Sequence, residues 1–242
     1  MQHLPRRKLQ SKSALQTELL LQMQFEDRSE AGRFLAEALQ AYRGRKDVVV
    51  LALPRGGVPV GYEVAQSLGA PLDVFVVRKL GVPGYPELAM GAIASGGVRV
   101  LNEDVVAALG PRAQEAIELV TEAELAELHS RERRYRGDRP PPDLRGRCVI
   151  LVDDGLATGA TMRAAARAVR QREPSEVVVA VPVAAESSCL EMREEADAVI
   201  CARTPEPFYG VGQFYRRFSQ TSDEEVRELL QRAAAEREAS KS

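Results

Sequence analysis

The chain has little cysteine, almost no histidine, no long apolar run and no excess of either charge. Its 242 residues hold three cysteines, Cys148, Cys189 and Cys201, and two histidines, His3 and His129. The cysteines lie far apart with no paired metal spacing, which argues against zinc and reads as reduced, buried thiols of the cytosol. His129 stands amid Glu and Arg and His3 near the start, so both read as surface residues. No stretch approaches the ~20 apolar residues that cross a bilayer. The opening MQHLPRRKLQSKS lacks the apolar core and cleavage site of a secretory signal. Both features point to a cytoplasmic protein with no membrane partner. Lys plus Arg number 33 against 35 Asp plus Glu, a net charge of −2, which excludes the broad basic field of a duplex-binding protein. Nucleic acid is not an expected partner.

What is present is a 45% apolar composition in periodic runs, enough for one large α/β domain or two small ones. Residues 1–24 read as an N-terminal extension with a leucine-rich patch at 15–21, and 25–242 as the folded domain. Asp27 with Glu30 makes a capping-box-like start to a helix whose Ala31, Phe34, Leu35, Ala38, Leu39 and Tyr42 share a face. The apolar run Val48 to Leu53 ends in Pro54-Arg55-Gly56-Gly57 and enters a helix with Val60, Val64 and Leu68 on one side and Gly69 as its stop. Asp73 to Val77 reads as a second strand ending at Arg78-Lys79. The following LGVPGYPELAMGAIASGG holds too many glycines and prolines for a regular element and predicts a long mobile connection over 80–97. A charged helical tract spans roughly 102–136, broken near Gly110-Pro111 and closed by Gly137. Cys148 to Val152, Glu176 to Val183 and Ala198 to Ala202 supply further strands. Ser222 with Glu225 opens a final helix. Continuous Val-rich runs indicate strands covered on both faces, hence an open, mostly parallel sheet of about five strands flanked by helices.

The stretch VILVDDGLATGAT, from Val149 to Thr161, places two carboxylates at the end of a buried strand and a loop of small residues and hydroxyls before a helix. Ligands of open parallel sheets sit beyond the carboxyl ends of the strands, so Asp153 and Asp154 stand at the lip of a site. Ala157-Thr158-Gly159-Ala160-Thr161 leaves backbone N–H groups exposed at a helix start, which suits a phosphate. Acids and a phosphate cradle share one ligand only if it offers neutral hydroxyls to the acids and an anion to the loop. A sugar phosphate meets that condition.

VILVDDGLATGAT resembles the phosphoribosyl-pyrophosphate (PRPP) signature of the type I phosphoribosyltransferases. The resemblance implies a Rossmann-like sheet with a small hood, here 25–43 and 203–220. It implies that Asp153 and Asp154 hold the ribose hydroxyls and a Mg²⁺ ion, and that Ala157 to Thr161 hold the 5′-phosphate. Pro54-Arg55-Gly56-Gly57 is similar to the family's pyrophosphate loop, which makes Arg55, Gly56 and Gly57 pyrophosphate ligands. Arg78-Lys79 resembles the start of the mobile loop in adenine-type members, whose basic side chain reaches pyrophosphate. The implied activity is Mg²⁺-dependent transfer of phosphoribose from PRPP to a purine- or pyrimidine-like nitrogen acceptor, releasing pyrophosphate. Asp154, Arg78 and Glu87 are the candidate catalytic residues, with Glu87 handling a proton on the acceptor. Ala157 stands where 6-oxopurine members carry an Asp. Phe208 and Tyr209 are the candidate base-stacking residues. A homodimer is the family's usual assembly. The competing reading is a non-catalytic PRPP sensor on the same fold.

Overall fold

The structure, a computed structural model, describes residues 24–239. Nearly all of the expected N-terminal extension, with its leucine-rich patch, therefore lies outside the described residues. Five strands form one parallel sheet: β1 (Val48–Ala52), β2 (Leu72–Val74), β6 (Cys148–Val152), β7 (Glu176–Val183) and β8 (Ala198–Arg203), in the order β2-β1-β6-β7-β8. The continuous apolar runs have the expected cause. Val48, Val50 and Ala52 of β1 join a cluster with helices α1 (Arg28–Ala38), α2 (Gly57–Leu68) and α7 (Asp223–Ala239), whereas Val49 and Leu51 join one with α5 (Ala160–Arg170). Each strand is thus buried on both sides.

Strand order reverses between β1 and β6. The connection from β1 runs outward to β2, and that from β6 runs the other way to β7. The loops that follow β1 and β6 therefore lie side by side at the carboxyl end of the sheet, where a crevice opens in folds of this kind. Local signals set the flanking helices. Asp27 caps α1 by accepting from Glu30 N–H at 3.0 Å, Ser222 does the same for Glu225 at 3.1 Å, and Gly69 ends α2 with a φ of 68°.

Two expectations need correction. Residues 80–97 are not an irregular mobile connection. They form most of an antiparallel sheet, β3 (Val77–Val82), β4 (Tyr85–Ala94) and β5 (Val98–Leu101). Glycines there serve close approach: a methyl group on Gly81 would lie 2.7 Å from the Pro86 carbonyl oxygen, and one on Gly91 would collide with the Val100 carbonyl. Leu80, Met90 and Ile93 are buried against the main body, and that burial overrides the weak strand propensity of the segment. Arg78 and Lys79 consequently belong to β3 and not to the end of a second strand. The charged tract divides as expected, into α3 (Glu103–Leu109), a 3₁₀ turn at Gly110–Arg112 and α4 (Ala113–Arg136).

The second correction concerns the cysteines. Cys189, on α6 (Glu186–Met192), is bonded to Cys201 of β8 in a disulfide, and Cys148 alone is a buried free thiol. The twelve-residue separation brings the pair together because α6 packs back on the strand that follows it.

α4 is tied to the main sheet by a buried ion pair. Arg136 Nε meets Asp73 Oδ2 at 3.0 Å and its Nη2 donates to the Val74 carbonyl at 3.3 Å. Burial pushes the Asp73 carboxyl up and Arg136 opposes it. Removing the arginine leaves a buried, uncompensated carboxylate. Arg136→Ala is expected to lower unfolding free energy by about 3–5 kcal/mol in urea titrations, and a loss below about 1 kcal/mol would show that the pair is not structural.

Candidate functional site

The site is built from the two neighbouring loops. Asp153 and Asp154 follow β6, and Gly56 and Gly57 follow β1. A methyl group on Gly56 would collide with Asp154 Oδ2, and one on Gly57 would lie 2.7 Å from the Val152 carbonyl oxygen and 2.9 Å from Asp153 Cα. Only glycine permits that approach. Both helices that start at the crevice, α2 and α5, lack a side-chain cap at their N-termini. At α5 the first-turn N–H groups have no partner among the described residues and suit an anion, whereas in α2 Gly57 and Val58 already donate to the Leu53 and Arg55 carbonyls and Pro59 has no N–H.

The loop before α5 is braced from α6. Ser188 Oγ donates to the Ala157 carbonyl, Arg163 Nη2 donates to the Thr158 carbonyl at 3.3 Å, and Arg163 is itself held by Glu191 at 2.9 Å. Gly159 adopts a φ of 71°, in the left-handed region, and a methyl group there would meet Met192 Cε at 3.3 Å. Thr158, Ala160 and Thr161 are exposed, and Ala157 offers only a methyl group. Backbone and hydroxyls thus face outward from a loop whose carbonyls are tied down behind it.

Burial pushes the Asp153 carboxyl well above the usual carboxylate range, and the adjacent Asp154 charge adds to the effect. Asp154 is also pushed up by burial, with the Arg28 guanidinium pulling the other way. Arg28 Nε meets Asp154 Oδ2 at 2.8 Å, and the Tyr215 hydroxyl donates to the Asp154 carbonyl at 2.6 Å. Burial and the Asp154 charge raise the Tyr215 phenol, which keeps it a donor.

The remaining sequence candidates spread around this centre. Arg55 lies in the loop beside Gly56 and reaches Asp223 Oδ1 of α7 at 3.6 Å. Arg78 pairs with Glu124 of α4 at 2.7 Å. Lys79 pairs with Glu87 at 3.2 Å across the β3–β4 hairpin and shares with Ala160 and Thr161 a cavity of about 830 Å³. Adjacent residues of a strand face opposite ways, so Arg78 and Lys79 serve different surroundings. Glu87 is almost fully exposed at the hairpin, with Lys79 as its partner. Phe208 packs on Phe214 with centroids 5.2 Å apart, and Tyr209 is 87% exposed. The rings placed nearest Asp154 are Tyr215 and Phe218, stacked at 5.0 Å. Arg28, Tyr215, Phe218 and Ser188 escaped the sequence reading. The aromatic spacing around 208–218 was the only signal for any of them.

The two carboxylates divide their oxygens in the same way. Asp153 Oδ1 accepts from Asp154 N–H at 2.8 Å, and Asp154 Oδ2 accepts from Arg28. The second oxygen of each, Asp153 Oδ2 and Asp154 Oδ1, has no hydrogen bond among the described residues. Two carboxylate oxygens beside the open N-terminus of α5 can take a ligand that offers hydroxyls to the acids and an anionic end to the helix.

A model of the phosphoribosyl transferase domain matches residues 18–216. Two curated proteins of Mycobacterium tuberculosis, from strains CDC 1551 and H37Rv and each named "Putative phosphoribosyl transferase", are 52% identical over 209 residues. Those alignments take in 86% of this chain and 47% of the relatives, so the chain spans about half the length of the curated proteins it matches. The crystal structure of TT1426 from Thermus thermophilus is similar with a TM-score of 0.74 at 44% identity, covering 86% of this chain and 97% of that one.

Because folding favours neutral Asp153, the native state loses stability as pH rises from the ordinary carboxylate value of 3.8 through the raised native value. Asparagine copies the neutral form and retains an oxygen for the Asp154 N–H. Asp153→Asn is expected to melt higher than the wild type near pH 7 in differential scanning fluorimetry, with the gap closing as the buffer falls toward about pH 4. Equal or lower melting near neutral pH contradicts this reading of the carboxyl.

Proposed function

The chain belongs to the phosphoribosyl transferase domain family, and from that premise we propose that it transfers phosphoribose from PRPP to a purine- or pyrimidine-like nitrogen acceptor, releasing pyrophosphate. The observation that carries the reading is the contact between the Arg55-Gly56-Gly57 loop and the Asp153–Asp154 pair, with the T-G-x-T loop opening α5 alongside. PRPP is the ligand those three pieces suit: its 5′-phosphate meets the N–H groups of 157–161, its hydroxyls meet the aspartates, and its diphosphate meets the glycine loop and Arg55.

Leaving of the diphosphate builds positive character at the anomeric carbon and negative charge on the leaving oxygens. The chain's contribution is then positioning and charge stabilisation. The Arg55 guanidinium stabilises the leaving group, and Lys79 approaches from the cavity it shares with Thr161. The aspartates fix the ribose, so that the acceptor nitrogen meets one face of the sugar. Glu87 and Arg78 take part only by leaving their ion pairs with Lys79 and Glu124.

The donor set fits Mg²⁺. Free carboxylate oxygens are hard ligands, and among the described residues no group of three or more His, Cys, Asp or Glu could hold a metal. Asp153 and Asp154 would hold the ion jointly with the ligand's own oxygens. When bound, Mg²⁺ neutralises charge on the diphosphate. The contact of the 25–43 and 203–220 segments, through a Phe25–Tyr215 bridge and the packing of Phe25, Phe214 and Tyr215, supports reading them together as the hood over the acceptor.

Titration calorimetry with Mg²⁺ and PRPP is expected to show micromolar binding that an Asp153→Asn, Asp154→Asn variant lacks. A panel of purine and pyrimidine bases should then release pyrophosphate with one of them. Binding with no release from any base favours a PRPP sensor, and no binding to the wild type removes the PRPP reading altogether.

A further inference from the structure

Arg28 has no counterpart among the residues that the sequence motif names, yet it makes the strongest side-chain contact to the acid pair. It comes from the first turn of α1, 126 positions from Asp154 in the chain. Its Nε meets Asp154 Oδ2 at 2.8 Å and its Nη1 donates to the Ser219 carbonyl at 2.7 Å. The guanidinium carbon lies 4.1 Å from the centroid of the Phe218 ring and 6.0 Å from that of Tyr215. The Arg28 and Asp154 side chains are 12% and 15% exposed. A guanidinium fixed on two edges and one face has little rotamer freedom, and a planar fork transmits that rigidity to the carboxylate it grips.

Asp154 Oδ2 is confined from a second direction, since Gly56 leaves no room for a methyl group there. With Oδ2 held by Arg28 and backed by Gly56, the carboxylate can rotate only by breaking the ion pair. Oδ1, with no hydrogen bond among the described residues, is the oxygen left for a ligand hydroxyl. Asp153 reaches the same state by a local route, its Oδ1 being held by the Asp154 N–H.

We propose that Arg28 is a positioning residue for the sugar site: by gripping Oδ2 of Asp154, it aims Oδ1 at the ribose hydroxyls, and the Phe218 ring and the Ser219 carbonyl hold it in place. The proposal rests on the PRPP reading of the site. It also gives the packed chain ends a role in sugar recognition, because Arg28 of α1 grips the Asp154 carboxylate while Phe218 and Ser219 hold Arg28 and Tyr215 bonds the Asp154 main-chain carbonyl.

The test is calorimetric titration of the full chain and its Arg28→Ala and Arg28→Lys variants, each with Mg²⁺ plus PRPP and with Mg²⁺ plus inorganic pyrophosphate. Removing the outer partner of a ligand-binding side chain typically costs about 10- to 100-fold in affinity. Arg28→Ala is expected to weaken PRPP by that factor and to leave pyrophosphate, which has no hydroxyls for Asp154, within about twofold. Arg28→Lys keeps the charge but not the fork, and is expected to fall between. Unchanged PRPP affinity in Arg28→Ala overturns the proposal while leaving the PRPP site standing. An equal loss for both ligands also overturns it, by showing a general structural role. Should the alanine variant fail to fold in a thermal melt, the lysine variant carries the same comparison. A wild type that binds no PRPP removes the premise, and the positioning role with it.

Discussion

Two glycines that leave no room for a methyl group hold the crevice of this protein together. Gly56 lies against the Asp154 carboxylate and Gly57 against the Val152 carbonyl and the Asp153 backbone, so the loops after β1 and β6 touch where the strand order reverses. Any side chain at either position would push the loops apart. Sheet topology brings the loops near each other, and the glycines bring them into contact. Everything proposed for the site depends on that contact, because it places a diphosphate-sized loop and a pair of carboxylates within reach of one ligand.

The same crevice concentrates unfavourable electrostatics. Burial pushes both aspartates up, with Asp153 further burdened by its neighbour. Beside them stands the α5 N-terminus, whose first-turn N–H groups have no partner among the described residues. Uncompensated N–H groups and uncompensated carboxylate oxygens are each costly, and a ligand with an anionic end and a hydroxylated middle satisfies both at once. The bracing of the T-G-x-T loop by Ser188 and Arg163 keeps its carbonyls pointed away from the anion.

Legibility in the sequence followed distance along the chain. The main sheet could be read because each strand is a continuous apolar run, and α1 and α7 because Asp27 and Ser222 act within one turn. The acid pair and its loop could be read because they are consecutive. The antiparallel sheet could not: glycine and proline in residues 80–97 look like breakers, and only the structure shows that Gly81 and Gly91 exist for close strand approach. Arg28 and Phe218 were equally hidden, since an arginine in a first helical turn and a phenylalanine in a tail acquire meaning only when the arginine reaches Asp154 with the ring packed on its face. The Cys189–Cys201 bond escaped for a related reason, the packing of α6 back on β8. Local patterns describe elements, and the surroundings of a site are assembled from elements that the pattern treats separately.

The most direct test of the account is a crystal structure of the protein with Mg²⁺ and PRPP. The account predicts the ribose hydroxyls on Asp153 Oδ2 and Asp154 Oδ1, the 5′-phosphate on the backbone N–H groups of 157–161, and the diphosphate along Arg55 to Gly57. A sugar phosphate bound away from the aspartates, or with its phosphate outside the α5 loop, would contradict it.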